Sequence, residues 1–159
     1  MADFDADTHG DGTPSESGRA DGWIGSVLHI QFEANVLIVT LKELPAAIVD
    51  VQTRERFRRY LGEIPDQPTG AVFDLDGHEV IPSTVLGIMV ALRIHLHNNE
   101  GTMAVCNASA MTIEKMQRLN LTSLWTISRS RLEALKDVVG RKNDDQGQIY
   151  IADNRNHFL

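Results

Sequence analysis

The spacing of apolar and polar positions changes period several times along the chain. Residues 23–32 alternate loosely and predict a first strand. Asn35 offers a turn, and Val36-Leu37-Ile38-Val39-Thr40-Leu41 is a β-branched apolar run, so the two segments predict a hairpin. Leu44-Pro45 breaks the strand pattern. Over residues 48–64 the period shifts to that of a helix, with Val51, Phe57, Tyr60, Leu61 and Ile64 apolar and charges between them. Arg54, Arg56, Arg58 and Arg59 form its basic face.

Residues 65–70 read as a loop, and Ala71-Val72-Phe73-Asp74-Leu75 as a short central strand. A polar crossing, Asp76-Gly77-His78-Glu79, leads into Val80-Ile81-Pro82-Ser83-Thr84-Val85-Leu86-Gly87. From Thr84 to about residue 97 the pattern is a helix that is apolar nearly all round. Such a helix is either sandwiched in a core or has a face reserved for a partner. Asn98-Asn99-Glu100-Gly101 ends it, with Gly101 suited to a left-handed turn. A strand over 102–107, a helix over 112–119, a strand around 124–127 and a helix over 131–139 follow. The last helix carries Leu132, Leu135, Val138 and Val139 as its apolar side.

The order is β-β-α-β-α-β-α-β-α. Alternating strands and helices imply an α/β fold with a mostly parallel, mixed sheet of about five strands. Residues 1–22 are acidic and polar, too poor in apolar area to order themselves, and residues 140–159 are polar again. One domain over 23–139 between two tails is therefore expected.

Composition narrows the function. The 159 residues carry a net charge of −7, which argues against a nucleic-acid or acidic-membrane partner. Residues 5–16 loosely follow a calcium-loop spacing, but His9, Gly12 and Pro14 break it and no helix can precede Asp5, so a solvated acidic tail is expected. The single cysteine, Cys106, lies in an apolar run and reads as a core residue. There is no secretory pattern at the N-terminus and no apolar run of membrane-spanning length, so the expected compartment is the cytoplasm and the sequons at Asn107 and Asn120 carry no meaning. His95 and His97 point to different sides of their helix and are not read as a metal pair. No Gly-rich phosphate loop, metal pattern or nucleophile–base pair stands out. No cofactor is expected, and an enzyme is not.

The chemistry that remains is the pair of hydroxyls, Ser83 and Thr84, where a strand hands over to a helix. A helix start has unpaired N–H groups and the positive end of a dipole, and it tolerates a phosphate. Ser and Thr are also common simple caps. If Ser83 is the N-cap, its oxygen is occupied, and Thr84 is the first helical residue and the freer hydroxyl.

This order of elements, with a hydroxyl at this turn, resembles the STAS domain of bacterial anti-sigma factor antagonists over residues 23–138. Asp74-Leu75-Asp76-Gly77-His78 is similar to the family's Asp-Leu-Ser-Gly-Val-like segment. Pro82-Ser83-Thr84-Val85-Leu86-Gly87 is similar to its Asp-Ser-Ser-Gly-Leu-Gly, with Pro82 in place of Asp and Val85 in place of Gly. Val49-Asp50-Val51-Gln52-Thr53 resembles the Leu-Asp-x-x-Thr that opens the first helix, and Leu121-Thr122-Ser123-Leu124-Trp125 the late Leu and aromatic strand.

The resemblance implies partner switching. The unphosphorylated antagonist binds an anti-sigma factor that is itself a serine/threonine kinase with a GHKL-type ATP site. Phosphorylation releases it, and a phosphatase resets it. The phosphorylated residue falls on Thr84, with Ser83 second. Asp50, Thr53, Pro82, Ser83, Thr84, Val85, Leu86 and Gly87 fall on the partner surface. Val85 is expected beside the acceptor hydroxyl, where a kinase cleft would have to accommodate it. The two replacements motivate an alternative, a STAS scaffold that is not phosphorylated, or a small-ligand sensor module.

Overall fold

The computed structural model describes residues 22–24, 27–42, 51–64 and 67–147. The acidic N-terminal segment with its calcium-loop-like spacing, Asp50, and residues 148–159 lie outside the described residues.

The elements are β1 (Gly22–Ile24), β2 (Leu28–Glu33), β3 (Val36–Leu41), α1 (Val51–Glu63), β4 (Gly70–Asp74), α2 (Ser83–Asn98), β5 (Thr102–Cys106), α3 (Ala110–Arg118), β6 (Thr126–Ser128) and α4 (Arg131–Gly147). The expected alternation of strands and helices stands. The first expected strand is divided into β1 and β2, which fold back on each other with Ile24 opposite Leu28. The sheet runs β1 to β6 in chain order, antiparallel up to β3 and parallel from β3 to β6. At the β2–β3 turn Ala34 and Asn35 both have positive φ, 46° and 67°, the twist a two-residue hairpin needs.

Every residue of β3 and β4 is buried, as befits central strands covered on both faces. The period of two divides their side chains. Leu37, Val39, Leu41, Ala71, Phe73 and Val105 join Phe57 and Leu61 of α1 and Ile88, Met89 and Leu92 of α2 in one core. Val36, Ile38, Val72, Ala104 and Cys106 face the other way and meet Ala134 and Val138 of α4. Cys106 is buried, as expected of a core residue. Burial, reinforced by the negative charge of nearby Asp74, pushes its thiol up to about 12.

Several local expectations are corrected. Val51 is 61% exposed, because α1 begins there and its buried positions are Thr53, Phe57 and Leu61, four residues apart. In α4 the buried positions are Ala134 and Val138, while Leu132 and Val139 are exposed. That helix continues past the expected end at 139 to Gly147. After α2 the left-handed residue is Glu100, with φ 57°, and not Gly101. Gly101 serves close approach instead: its N–H donates to Leu96 O at 2.7 Å, and a Cβ there would stand 3.0 Å from Leu96 Cδ2.

Gly70 opens β4 under α4, where an added Cβ would run into Val138 Cγ1. Val138 is stiff about χ1 and buried, so it has little room to yield. Gly70→Ala is expected to destabilise the fold by about 1–3 kcal/mol through overpacking. The loss should shrink in Gly70→Ala/Val138→Ala relative to Val138→Ala alone, read by urea denaturation as a double-mutant cycle.

Candidate functional site

The hydroxyl pair sits at the start of α2, at the end of a connection from β4 that the rest of the fold holds tightly. The connection begins at Asp74, the lone charge in an otherwise apolar strand. A buried charge needs partners, and Asp74, 3% exposed, has them on both oxygens. Its Oδ1 accepts from the Asp76 N–H and from Asn107 Nδ2, both at 2.8 Å. Its Oδ2 accepts from Arg131 Nε at 2.9 Å, and Arg131 Nη2 stands 2.8 Å from the same oxygen as an ion pair, a two-pronged guanidinium contact. Arg131 Nη2 also donates to Thr40 Oγ1 at 2.8 Å, which ties β3, β4 and the first residue of α4 together.

Beyond Asp74 the chain turns sharply. Asp76 and Gly77 have φ of 52° and 73°, and the Gly77 N–H donates to Asn107 O at 3.0 Å. The His78 ring Nε2 lies 3.2 Å from Leu41 O. The start of α3 then takes over. Ser109 Oγ donates to Glu79 O at 2.7 Å and, as the α3 N-cap, accepts from the Thr112 N–H at 3.1 Å. Lys115 Nζ donates to Ile81 O at 3.0 Å, and the Ile81 side chain is 1% exposed. The segment that delivers Ser83 and Thr84 is thus bonded to β3, to the residue after β5 and to α3.

At the helix start the capping expectation is overturned. The N-cap is Pro82, at φ −63° and ψ 152°, with no side-chain cap bond. Proline has no N–H to leave unsatisfied there, and its fixed φ meets the N-cap geometry. Its carbonyl accepts from the Val85 N–H at 3.0 Å and the Leu86 N–H at 3.4 Å. Ser83 is therefore the first helical residue and is exposed, while Thr84 is second and half-buried. The hydroxyl more open to solvent is that of Ser83.

The other predicted partner residues divide by burial. Pro82 and Gly87 are half-buried and reach the surface beside the hydroxyls. Val85, 0% exposed, and Leu86, 4% exposed, are core residues. The branched side chain at 85 therefore packs inward and does not stand beside the hydroxyls, as the sequence had suggested. Thr53, 4% exposed, is likewise inside the fold at the first turn of α1. Val85 and Leu86 support the first turn of α2 from beneath.

Sequence reasoning passed over the α3 side of the site. Between the connection and α3 lies a cavity of about 440 Å³ lined by Val80, Ile81, Met111, Thr112, Lys115 and Arg118, among others. Val80 and Met111 are 61% and 54% exposed and line this cavity together, with Val80 three residues before Ser83. The Ser109-x-x-Thr112 cap was the available signal for α3, and the lone Asp74 was the signal for its buried partners. Among the described residues no group of three or more His, Cys, Asp or Glu side chains gathers to hold a metal ion. Among those residues, too, no helix is long and apolar enough to cross a membrane.

Arg131→Ala would leave the buried Asp74 facing only neutral donors. Loss of one member of a fully buried pair costs about 3–5 kcal/mol. The Arg131 side chain is 39% exposed, so water can partly replace it, and about 2–3 kcal/mol is expected in urea unfolding. Arg131→Lys should recover less than half, since an ammonium cannot make the two-pronged contact.

The chain was also compared with known proteins. A family model described as the STAS domain matches residues 28–134, most of the described chain. No curated protein matches it in sequence. Among solved structures it is similar to an anti-sigma-factor antagonist (STAS) domain protein from Planctomyces limnophilus, with 19% identity, TM-score 0.55, and coverage of 70% of this chain and 97% of the other. It is similar to the anti-sigma factor antagonist SpoIIAA in its unphosphorylated form, with 15% identity, TM-score 0.59, and coverage of 71% and 96%. A substituted form of RsbS from Moorella thermoacetica superposes with TM-score 0.61 at 12% identity, covering 73% and 97%. At these identities the structures speak for the fold, and the family model carries the assignment: this chain belongs to the STAS domain family.

Proposed function

We propose that the chain is an anti-sigma factor antagonist that works by partner switching, a regulator and kinase substrate with no catalytic role of its own. Its partner is an anti-sigma factor with GHKL-type serine/threonine kinase activity. Phosphorylation at the start of α2 releases that partner, and a phosphatase restores binding. The observation that carries this reading is the presentation of two hydroxyls on the first turn of α2 by a connection bonded to β3, Asn107 and α3.

The physics of such a site favours release without unfolding. A phosphate adds about −1.5 to −2 charges near neutral pH. On the first turn it lies beside unpaired N–H groups and the positive end of the helix dipole, which stabilise it internally. The helix keeps its shape, and the new charge opposes an apolar or acidic partner surface. The exposed pair Val80 and Met111 supplies the apolar part of that contact, and Arg118 and Lys115 border it. Motif position assigns the acceptor to Thr84, with Ser83, the more exposed hydroxyl, as the second acceptor.

The alternative, a scaffold that does not cycle, is motivated by Pro82, which brings no carboxylate to the turn, and by the half-burial of Thr84. One pair of variants separates the two. Incubation with the GHKL-type kinase and ATP, followed by mass spectrometry, is expected to place phosphate on Thr84. Thr84→Asp should lose at least tenfold in affinity for that kinase relative to Thr84→Ala, about 1.4 kcal/mol. An unmodified protein, together with equal affinities for the two variants, would leave the scaffold in place of the switch.

The α3 side of the surface has its own test. Met111→Asp places a charge in the contact while disturbing no buried side chain. It should weaken kinase binding by about tenfold or more, with an unchanged urea midpoint. Full affinity in that variant would remove α3 from the interface.

A further inference from the structure

A second concavity, of about 480 Å³, runs along the outer seam between α1 and α2 and begins at Gly87, one turn beyond the hydroxyl pair. On α2 its lining advances by three and four residues from Gly87 through Val90, Ala91 and Ile94, and on α1 it includes Arg54, Arg58 and Leu61. Both helices are crossovers between neighbouring parallel strands, so they run in the same direction and the seam has a consistent order from end to end. Arg54 lies against Gly87, where an added Cβ would stand 3.6 Å from Arg54 Cδ. The guanidinium end of the seam is therefore at the first turns. Its floor a turn or two later is apolar, and His95 and Asn98 close the far end.

Among the described residues the charge at the first end is only partly answered. Glu55 Oε1 is 3.8 Å from Arg54 Nε and 3.7 Å from Arg58 Nη1, both beyond hydrogen-bonding distance. Among the described residues one carboxylate thus faces two guanidiniums, and Arg54 Nε is buried without a hydrogen-bond partner. The far end adds no comparable charge, because burial lowers the His95 pKa from its ordinary value and Gln67 Oε1 lies 2.7 Å from its Nε2. Between the ends Ile94 is 58% exposed, an unusual state for a large apolar side chain on a helix so rich in buried ones.

We propose that the α1–α2 seam binds an alkyl carboxylate of the fatty-acid class, its head on Arg54 and Arg58 and its chain along Leu61, Val90, Ala91 and Ile94. Guanidinium groups match a carboxylate with two parallel hydrogen bonds. From Gly87 to Asn98 the helical rise spans about 16 Å, room for a chain of medium length. A partner helix fits less well: about 16 Å of helix some 10 Å across would occupy more than twice the seam's volume. The volume lies within the usual range of small-ligand pockets.

The experiment is calorimetric titration of the full chain with sodium decanoate below its micelle concentration, with ¹H–¹⁵N spectra of the same samples. Saturable one-to-one binding is expected, with Kd on the order of 10–100 μM for a ligand of this size. Shifts should concentrate in residues 54–61 and 87–98. Arg54→Gln/Arg58→Gln should weaken binding at least tenfold, and so should replacing the carboxylate with an alcohol in 1-decanol. Ala91→Leu, which fills the floor, should weaken it while leaving both arginines in place. No saturation by about 1 mM, equal affinity for 1-decanol, or full affinity in the double arginine variant would each overturn the proposal. The seam shares Gly87 with the proposed partner surface but excludes Thr84 and Met111, the positions that test kinase binding, so decanoate binding, tested on Arg54, Arg58 and Ala91, can fail independently.

Discussion

The Asp74 carboxylate is the point on which the central strands and α4 converge. It sits buried at the end of β4, and groups from three places in the chain meet it: the Asp76 N–H, Asn107 Nδ2 and Arg131 Nε donate to it, and Arg131 Nη2 adds an ion-pair contact. A buried carboxylate without them would cost several kcal/mol. With them, the end of β4, the residue after β5 and the start of α4 are fixed relative to each other. The turn at Asp76 and Gly77 then has a defined direction, and everything delivered by that turn, including Ser83 and Thr84, inherits it.

This makes the helix start a preformed surface. Ile81 is anchored in the core and its carbonyl is held by Lys115, while Ser109 holds Glu79. Val85 and Leu86 fasten the first turn of α2 from beneath. A partner meeting this surface pays little ordering entropy. A phosphate placed on it changes charge more than shape, which is what a reversible regulator requires.

Much of the fold was legible in the sequence because burial on both faces leaves a plain signature. The continuous apolar runs of β3 and β4 and the changes of period between strands and helices are of this kind. The STAS assignment was legible through the order of short motifs. What the sequence did not yield depends on contacts between distant segments. Nothing local to Asp74 names Arg131 as its partner, 57 positions on. The cap of α2 was misread because Ser is the commoner N-cap, whereas here proline's fixed φ takes the position and shifts both hydroxyls one place into the helix. Val51, Leu132 and Val139 were assigned to apolar faces because helical spacing alone cannot say which of two overlapping stripes meets the sheet. The cavity that Val80 and Met111 share follows from the docking of α3, which no periodicity encodes.

On the reading proposed above, charge added to a preformed helix start drives release. This release is tested most directly by ¹H–¹⁵N spectra of the phosphorylated and unphosphorylated protein, each titrated with the GHKL-type anti-sigma kinase. Phosphorylation is expected to move resonances near residues 82–87 and leave the rest of α2 and the core in place, while partner-induced shifts appear only in the unphosphorylated sample. Equal partner-induced shifts in both samples, or loss of the α2 resonances on phosphorylation, would contradict it.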